Sequence, residues 1–99
     1  MKTIGIIGSG IVAKTLGAGF IKHSYEVMLG TRSPEKLDEW AKTDGLGAKI
    51  GSFNEAAAFG EILVLAVKGT VATMALELIE TTQLNGKTVI DATNPIAAE

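Results

Sequence analysis

Gly8-Ser9-Gly10-Ile11-Val12-Ala13 spells a G-x-G-x-x-A element directly after an apolar run and directly before a segment of helical period. Gly8 is expected to let the chain turn sharply, Gly10 to let a ligand's phosphates reach the backbone, and Ala13 to let helix and strand pack closely. The amides that open the helix, with the positive end of its dipole, suit a diphosphate without help from any lysine. The chemistry expected of this segment is dinucleotide binding, and the plain alternative is a tight βα turn.

The dinucleotide reading then makes a demand on the next strand end. About 20 residues on, a site for NAD carries an acid that grips the ribose 2′-hydroxyl. Here the chain reads Gly30-Thr31-Arg32-Ser33, with Lys36 one turn later. An acid would repel a 2′-phosphate, whereas two hydroxyls, a guanidinium and an ammonium hold one through charge-assisted hydrogen bonds. Thr31, Arg32, Ser33 and Lys36 are therefore the expected 2′-phosphate site, and the cofactor expected is NADP(H). Arg32 is the only arginine in the chain. The competing readings are a helix cap for Ser33 and solvated surface for Arg32 and Lys36.

A third region lies where Ala66-Val67-Lys68-Gly69-Thr70 and Ala92-Thr93-Asn94-Pro95 leave the sheet. Ligands bind at that edge of open parallel sheets, beside the switch point between first and fourth strands. Val67 is placed to pack on the nicotinamide and Asn94 to bond its carboxamide. Lys68 has two readings, a contact to phosphate or to an acidic co-substrate, and an exposed loop lysine.

These residues need a scaffold that brings strand ends together. Strands are predicted at Thr3–Ile7, Glu26–Gly30, Ala48–Ile50, Ile62–Val67 and Thr88–Ala92, alternating with segments of helical period. The first and fourth are nearly all apolar, which places them centrally with helices on both faces. The first helix is predicted over Ile11–His23, with Val12, Ala13, Leu16 and Phe20 on one face and Gly17 and Gly19 allowing close approach. The second opens with Ser33 as N-cap and Pro34 in its first turn and runs to about 42, burying Leu37 and Trp40. Ser52 and Glu55 have the form of a capping box for a short third helix ending near 60. The fourth is expected over about 70–81, before an Asn85-Gly86 turn. The fold class expected is α/β, a Rossmann-type doubly wound parallel sheet in one domain over 1–99.

Bulk properties narrow the function further. Ninety-nine residues suffice for one core and not for two. With 46% hydrophobic and 20% charged residues the chain is expected to fold. A net charge of −2, with no basic cluster, argues against nucleic acid as a partner. There is no cysteine and a single histidine, His23, so no metal site is expected. His23 falls at a helix C-terminus that favours a cation, and no catalytic acid, base or nucleophile stands out. The longest apolar run is far below the roughly 20 residues that cross a bilayer, and the start lacks the pattern of a secretory signal. A soluble cytoplasmic protein is the expectation.

Taken together, Gly5-Ile6-Ile7-Gly8-Ser9-Gly10, the run Gly30-Thr31-Arg32-Ser33-Pro34-Glu35-Lys36-Leu37 and the apolar strand before Val67 resemble the N-terminal domain of the deazaflavin-dependent NADP reductases. The resemblance covers essentially the whole chain. It implies an oxidoreductase in which hydride passes directly between the nicotinamide and the deazaflavin coenzyme F-420 as co-substrate, without a protein acid or base. It further implies Ser9, Gly10, Ile11 and Val12 as the phosphate loop, Thr31, Arg32, Ser33 and Lys36 around the 2′-phosphate, and Val67 as the nicotinamide wall. Two departures qualify it. Many relatives have a proline where Val67-Lys68-Gly69 stands. Relatives also continue with a helical domain that completes the substrate site and usually the dimer, so a truncated gene product, with that domain or a homodimer as its complement, is among the expectations. Similar domains occur in pyrroline-carboxylate reductases and in NADPH-dependent metalloreductases. A free-standing NADP-binding or sensing domain is the reading from a different class.

Overall fold

The centre of the molecule is a strand that must be apolar on both sides. β1, Thr3–Ile7, pairs in parallel with β2, Glu26–Gly30, on one edge and with β4, Ile62–Leu65, on the other. β3, Lys49–Gly51, extends the sheet beyond β2, and β5, Thr88–Asp91, extends it beyond β4. The order is β3-β2-β1-β4-β5, parallel throughout, so the chain winds outward from β1, returns across it and winds outward again. This computed structural model describes residues 2–67 and 88–91. The predicted helix over 70–81, the Asn85-Gly86 turn, Lys68 and Asn94 lie outside the described residues.

The two-residue side-chain period of the strands sorts the core into two halves. Ile4, Ile6, Val27, Leu29 and Val64 point to the face covered by α1, Ile11–Lys22, and by α2, Asp38–Lys42. Ile7, Leu63 and Leu65 point to the opposite face, where α3, Phe53–Phe59, packs with Phe53, Ala56 and Ala57. Helices on both faces are thus a direct reading of which strand residues are apolar. Ile6, Ile7, Leu29 and Leu37 are completely buried.

Three expectations about the helices need correction. The buried stripe of α1 runs through Ala13 and Gly17, with Leu16 and Phe20 half-buried and Val12 exposed. Each helical residue turns about 100° from its neighbour. A helix that seats Ala13 on the sheet therefore carries Val12 round toward solvent. Gly17 meets the ring of Trp40 and the side chain of Leu29, whereas Gly19 is exposed and has nothing near it. The second helix begins as a 3-10 turn over Pro34–Leu37 and becomes α-helical only at Asp38. Ser33 makes no side-chain cap there, since the Lys36 amide that its hydroxyl would receive donates to Ser33 O instead.

The capping box of α3 forms in full. The Glu55 amide donates to Ser52 Oγ at 3.0 Å, and the Ser52 amide donates to Glu55 Oε1 at 2.7 Å. Since two otherwise orphaned amides are satisfied together, Ser52→Ala is expected to lower stability by about 1 kcal/mol. A lower urea midpoint at unchanged slope is the check.

Candidate functional site

The sheet edge that carries the strands' C-terminal ends is held shut by backbone bonds between successive loops. The Gly8 amide donates to Gly30 O at 2.8 Å, the Ala66 amide to Ile7 O at 2.9 Å, and the Thr31 amide to Gly51 O at 2.9 Å. The segments after β1, β2 and β4 are thereby brought side by side at the point where the winding direction reverses. That is where an open parallel sheet leaves a crevice.

The two glycines of the first loop are there for different reasons. Gly8 has φ +142°, and a side chain at that position would run into the Ala66 carbonyl. The fold itself requires glycine there. Gly10, the N-cap of α1, is in ordinary extended backbone, and a side chain on it would meet nothing within 4 Å. No contact within the described protein calls for glycine at 10. What its absence of a side chain provides is open access to the start of the helix.

That start is also electrostatically uncompensated by its own sequence. α1 has no side-chain N-cap and no acid in its first turn, and its first internal bond runs from the Lys14 amide to Gly10 O at 3.0 Å. The amides of the first turn have no carbonyl within the helix to receive them and sit at the positive end of the dipole. Ile11 is 82% exposed, so its side chain gives the helix start no core packing.

The loop after β2 supplies charge. Thr31 is buried, and its Oγ1 accepts the Ser33 amide at 3.0 Å. The Lys36 amide then donates to Ser33 O at 3.0 Å. Arg32 and Lys36 are both exposed. A cleft of about 100 Å³ is lined by Gly8 and Ser9 from the first loop, by Thr31, Arg32, Ser33 and Lys36 from the second, and by Phe53 and Val67. Among its described lining residues there are two cations, three hydroxyls and no acid. This fits an anionic phosphate ester.

Seven of the residues singled out from sequence therefore share one cleft: Gly8, Ser9, Thr31, Arg32, Ser33, Lys36 and Val67. Gly10 stands at the helix start beside it. Ile11 instead lines a separate groove of about 580 Å³ between α1 and Trp40, and Val12 lines neither. Lys68 and Asn94 lie outside the described residues. Phe53 was not foreseen. Its signal was available in the capping box, which fixes it as the first residue of α3 and hence beside the strand ends.

A family model described as "NADP oxidoreductase coenzyme F420-dependent" matches residues 3–95. The chain belongs to this family. Among solved structures, it is 28% identical to a protein proposed to be an F420-dependent NADP reductase from Arthrobacter sp. FB24, with TM-score 0.85 over 96% of this chain and 46% of that one. It is 26% identical to an imine reductase from Bacillus cereus, with TM-score 0.79 over 94% of this chain and 32% of that one. An imine reductase variant from Myxococcus stipitatus in complex with NAD+, 24% identical with TM-score 0.82, shares the fold and is likewise covered over 32% of its length. The chain thus spans less than half the length of these solved relatives. It is an NAD(P)-binding oxidoreductase domain with the Rossmann-type sheet of the family. Among the described residues, no helix is long and apolar enough to cross a membrane, and no group of three or more His, Cys, Asp or Glu is placed to hold a metal.

Proposed function

We propose that this NAD(P)-binding oxidoreductase domain is selective for NADP(H). In this reading it holds the diphosphate at the start of α1 and the 2′-phosphate at the loop of Thr31, Arg32, Ser33 and Lys36. The observation that carries the reading is the cleft that joins the glycine loop to the Thr31–Lys36 loop, lined by both cations and by no acid among its described residues. The cofactor supplies the hydride. The protein's part is to bind, to orient and to keep one nicotinamide face open against Val67, so that proximity supplies the rate. No protein acid or base is needed in such a transfer, consistent with a cleft whose titratable groups are cations.

Lys68, toward a phosphate or an acidic co-substrate, and Asn94, toward the nicotinamide carboxamide, are proposed to complete the site. The acceptor proposed is a deazaflavin, as the family description suggests. Imine reduction is a second reading, favoured by the 26% identity to the Bacillus cereus enzyme. The whole site is proposed to need the helical domain or second subunit that relatives supply, within a soluble cytoplasmic enzyme.

The test is calorimetric titration with NADPH and NADH, followed by optical assay of NADPH oxidation with oxidised coenzyme F-420 and, separately, with a cyclic imine. Preferential NADPH binding with turnover of the deazaflavin is the expected result. Preferential binding with turnover of the imine alone moves the acceptor to the second reading. Preferential binding with no turnover identifies a cofactor-binding domain. Equal affinity for NADPH and NADH overturns the proposal.

A further inference from the structure

Thr31 differs from the other polar residues of the cleft in being buried, only 5% exposed, and it is the sole buried polar side chain among the described residues. A hydroxyl taken out of water needs a partner to offset its lost hydration. The partner is local: Oγ1 accepts the Ser33 amide two residues on. At the same residue the backbone amide is anchored to Gly51 O at the end of β3. Ser33 O in turn receives the Lys36 amide. One hydrogen-bonded path therefore runs from the sheet through Thr31 to Ser33 and on to Lys36, and it encloses Arg32.

We infer that Thr31 is a positioning residue for 2′-phosphate selectivity. Its hydroxyl fixes the turn that presents Arg32, Ser33 and Lys36 to one cleft, and its effect on the phosphate passes through them. This rests on the NADP(H) reading above and deepens it, because it separates a residue that shapes the anion site from residues that touch the anion. The physical reason is entropy. Arg32 and Lys36 are long and exposed, so a loop free to sample other turns would spread their charges over many positions. Binding would then have to order the loop as well as the side chains.

The experiment is titration with NADPH and NADH of the wild type, Thr31→Val, Thr31→Ser, Arg32→Ala and the Thr31→Val/Arg32→Ala pair, with melting curves throughout. Thr31→Val keeps the shape and removes the acceptor, leaving the Ser33 amide unpaired. It is expected to weaken NADPH about three- to tenfold. NADH is expected to stay within about twofold, and Thr31→Ser to stay near wild type. In the double variant the two losses are less than additive, because Thr31 acts through the loop that carries Arg32. Should Thr31→Val fail to fold, Thr31→Ala, which also removes the acceptor and cannot overpack, takes its place. Additive losses, equal weakening of NADPH and NADH, or a Thr31→Ser as poor as Thr31→Val would each overturn the positioning role. Those results leave the NADP(H) reading standing as long as Arg32→Ala loses NADPH selectively. A wild type without preference for NADPH removes that reading and this inference together.

Discussion

Arg32→Ala is expected to weaken NADPH binding about 10- to 100-fold while leaving NADH almost unchanged. The range corresponds to the loss of one charge-assisted hydrogen bond between a guanidinium and a phosphate. Because Arg32 is exposed, water and salt screen part of its charge, which favours the lower end of that range as ionic strength rises. Calorimetry at two salt concentrations checks both statements. Lysine is not an adequate replacement, since an ammonium cannot give the paired, planar donors of a guanidinium. Arg32→Lys should therefore fall between wild type and alanine. If NADPH and NADH weaken in parallel, Arg32 supports the loop or the adenosine generally and the 2′-phosphate assignment fails.

Much of this site was legible because its residues are tied to strand ends, and strand ends follow from apolar runs. Ile4 to Ile7 and Ile62 to Leu65 could only be buried strands, so the loops that follow them had to meet at one edge of the sheet. The bounds of β1 and β2 are those predicted. β3 begins one residue later than expected, and β4 stops at Leu65, two residues earlier, as the chain turns toward Val67. What periodicity did not resolve was orientation within helices. Val12 and Ala13 are adjacent and both apolar, and only contact with the sheet decides that Ala13 is buried and Val12 exposed. Ser33 shows the same limit for polar residues. Its type and its place before Pro34 suit an N-cap, yet its amide closes a turn on Thr31 and the following segment winds as a 3-10 turn. The burial of Thr31 was equally invisible, because it goes with an amide bond to Gly51 O and a hydroxyl that accepts the Ser33 amide, partners one distant and one close in sequence.

The strongest separation between folding and function is expected at the two glycines of the first loop. Gly8→Ala places a side chain at φ +142° and against the Ala66 carbonyl, so the β1 and β4 ends must part or the turn must change. Strain of that kind costs at least about 2 kcal/mol. For a domain of this size it lowers the melting temperature by roughly 8–16 °C. Gly10→Ala puts its side chain into open space and asks for no change of backbone region. Its cost to stability is expected to be about 0.5–1 kcal/mol, the ordinary difference between glycine and alanine at an N-cap and well below the cost at Gly8. Its cost to binding is much larger, since the new methyl group would stand where a diphosphate meets the first amides of α1. Loss of one such charged hydrogen bond corresponds to about 10- to 100-fold in affinity, for NADPH and NADH alike because both carry the diphosphate. Melting curves and titrations on the two variants therefore give opposite signatures. A Gly10→Ala protein that melts normally and still binds NADPH tightly would mean that the diphosphate lies elsewhere, and that the glycine loop serves the turn at Gly8 alone.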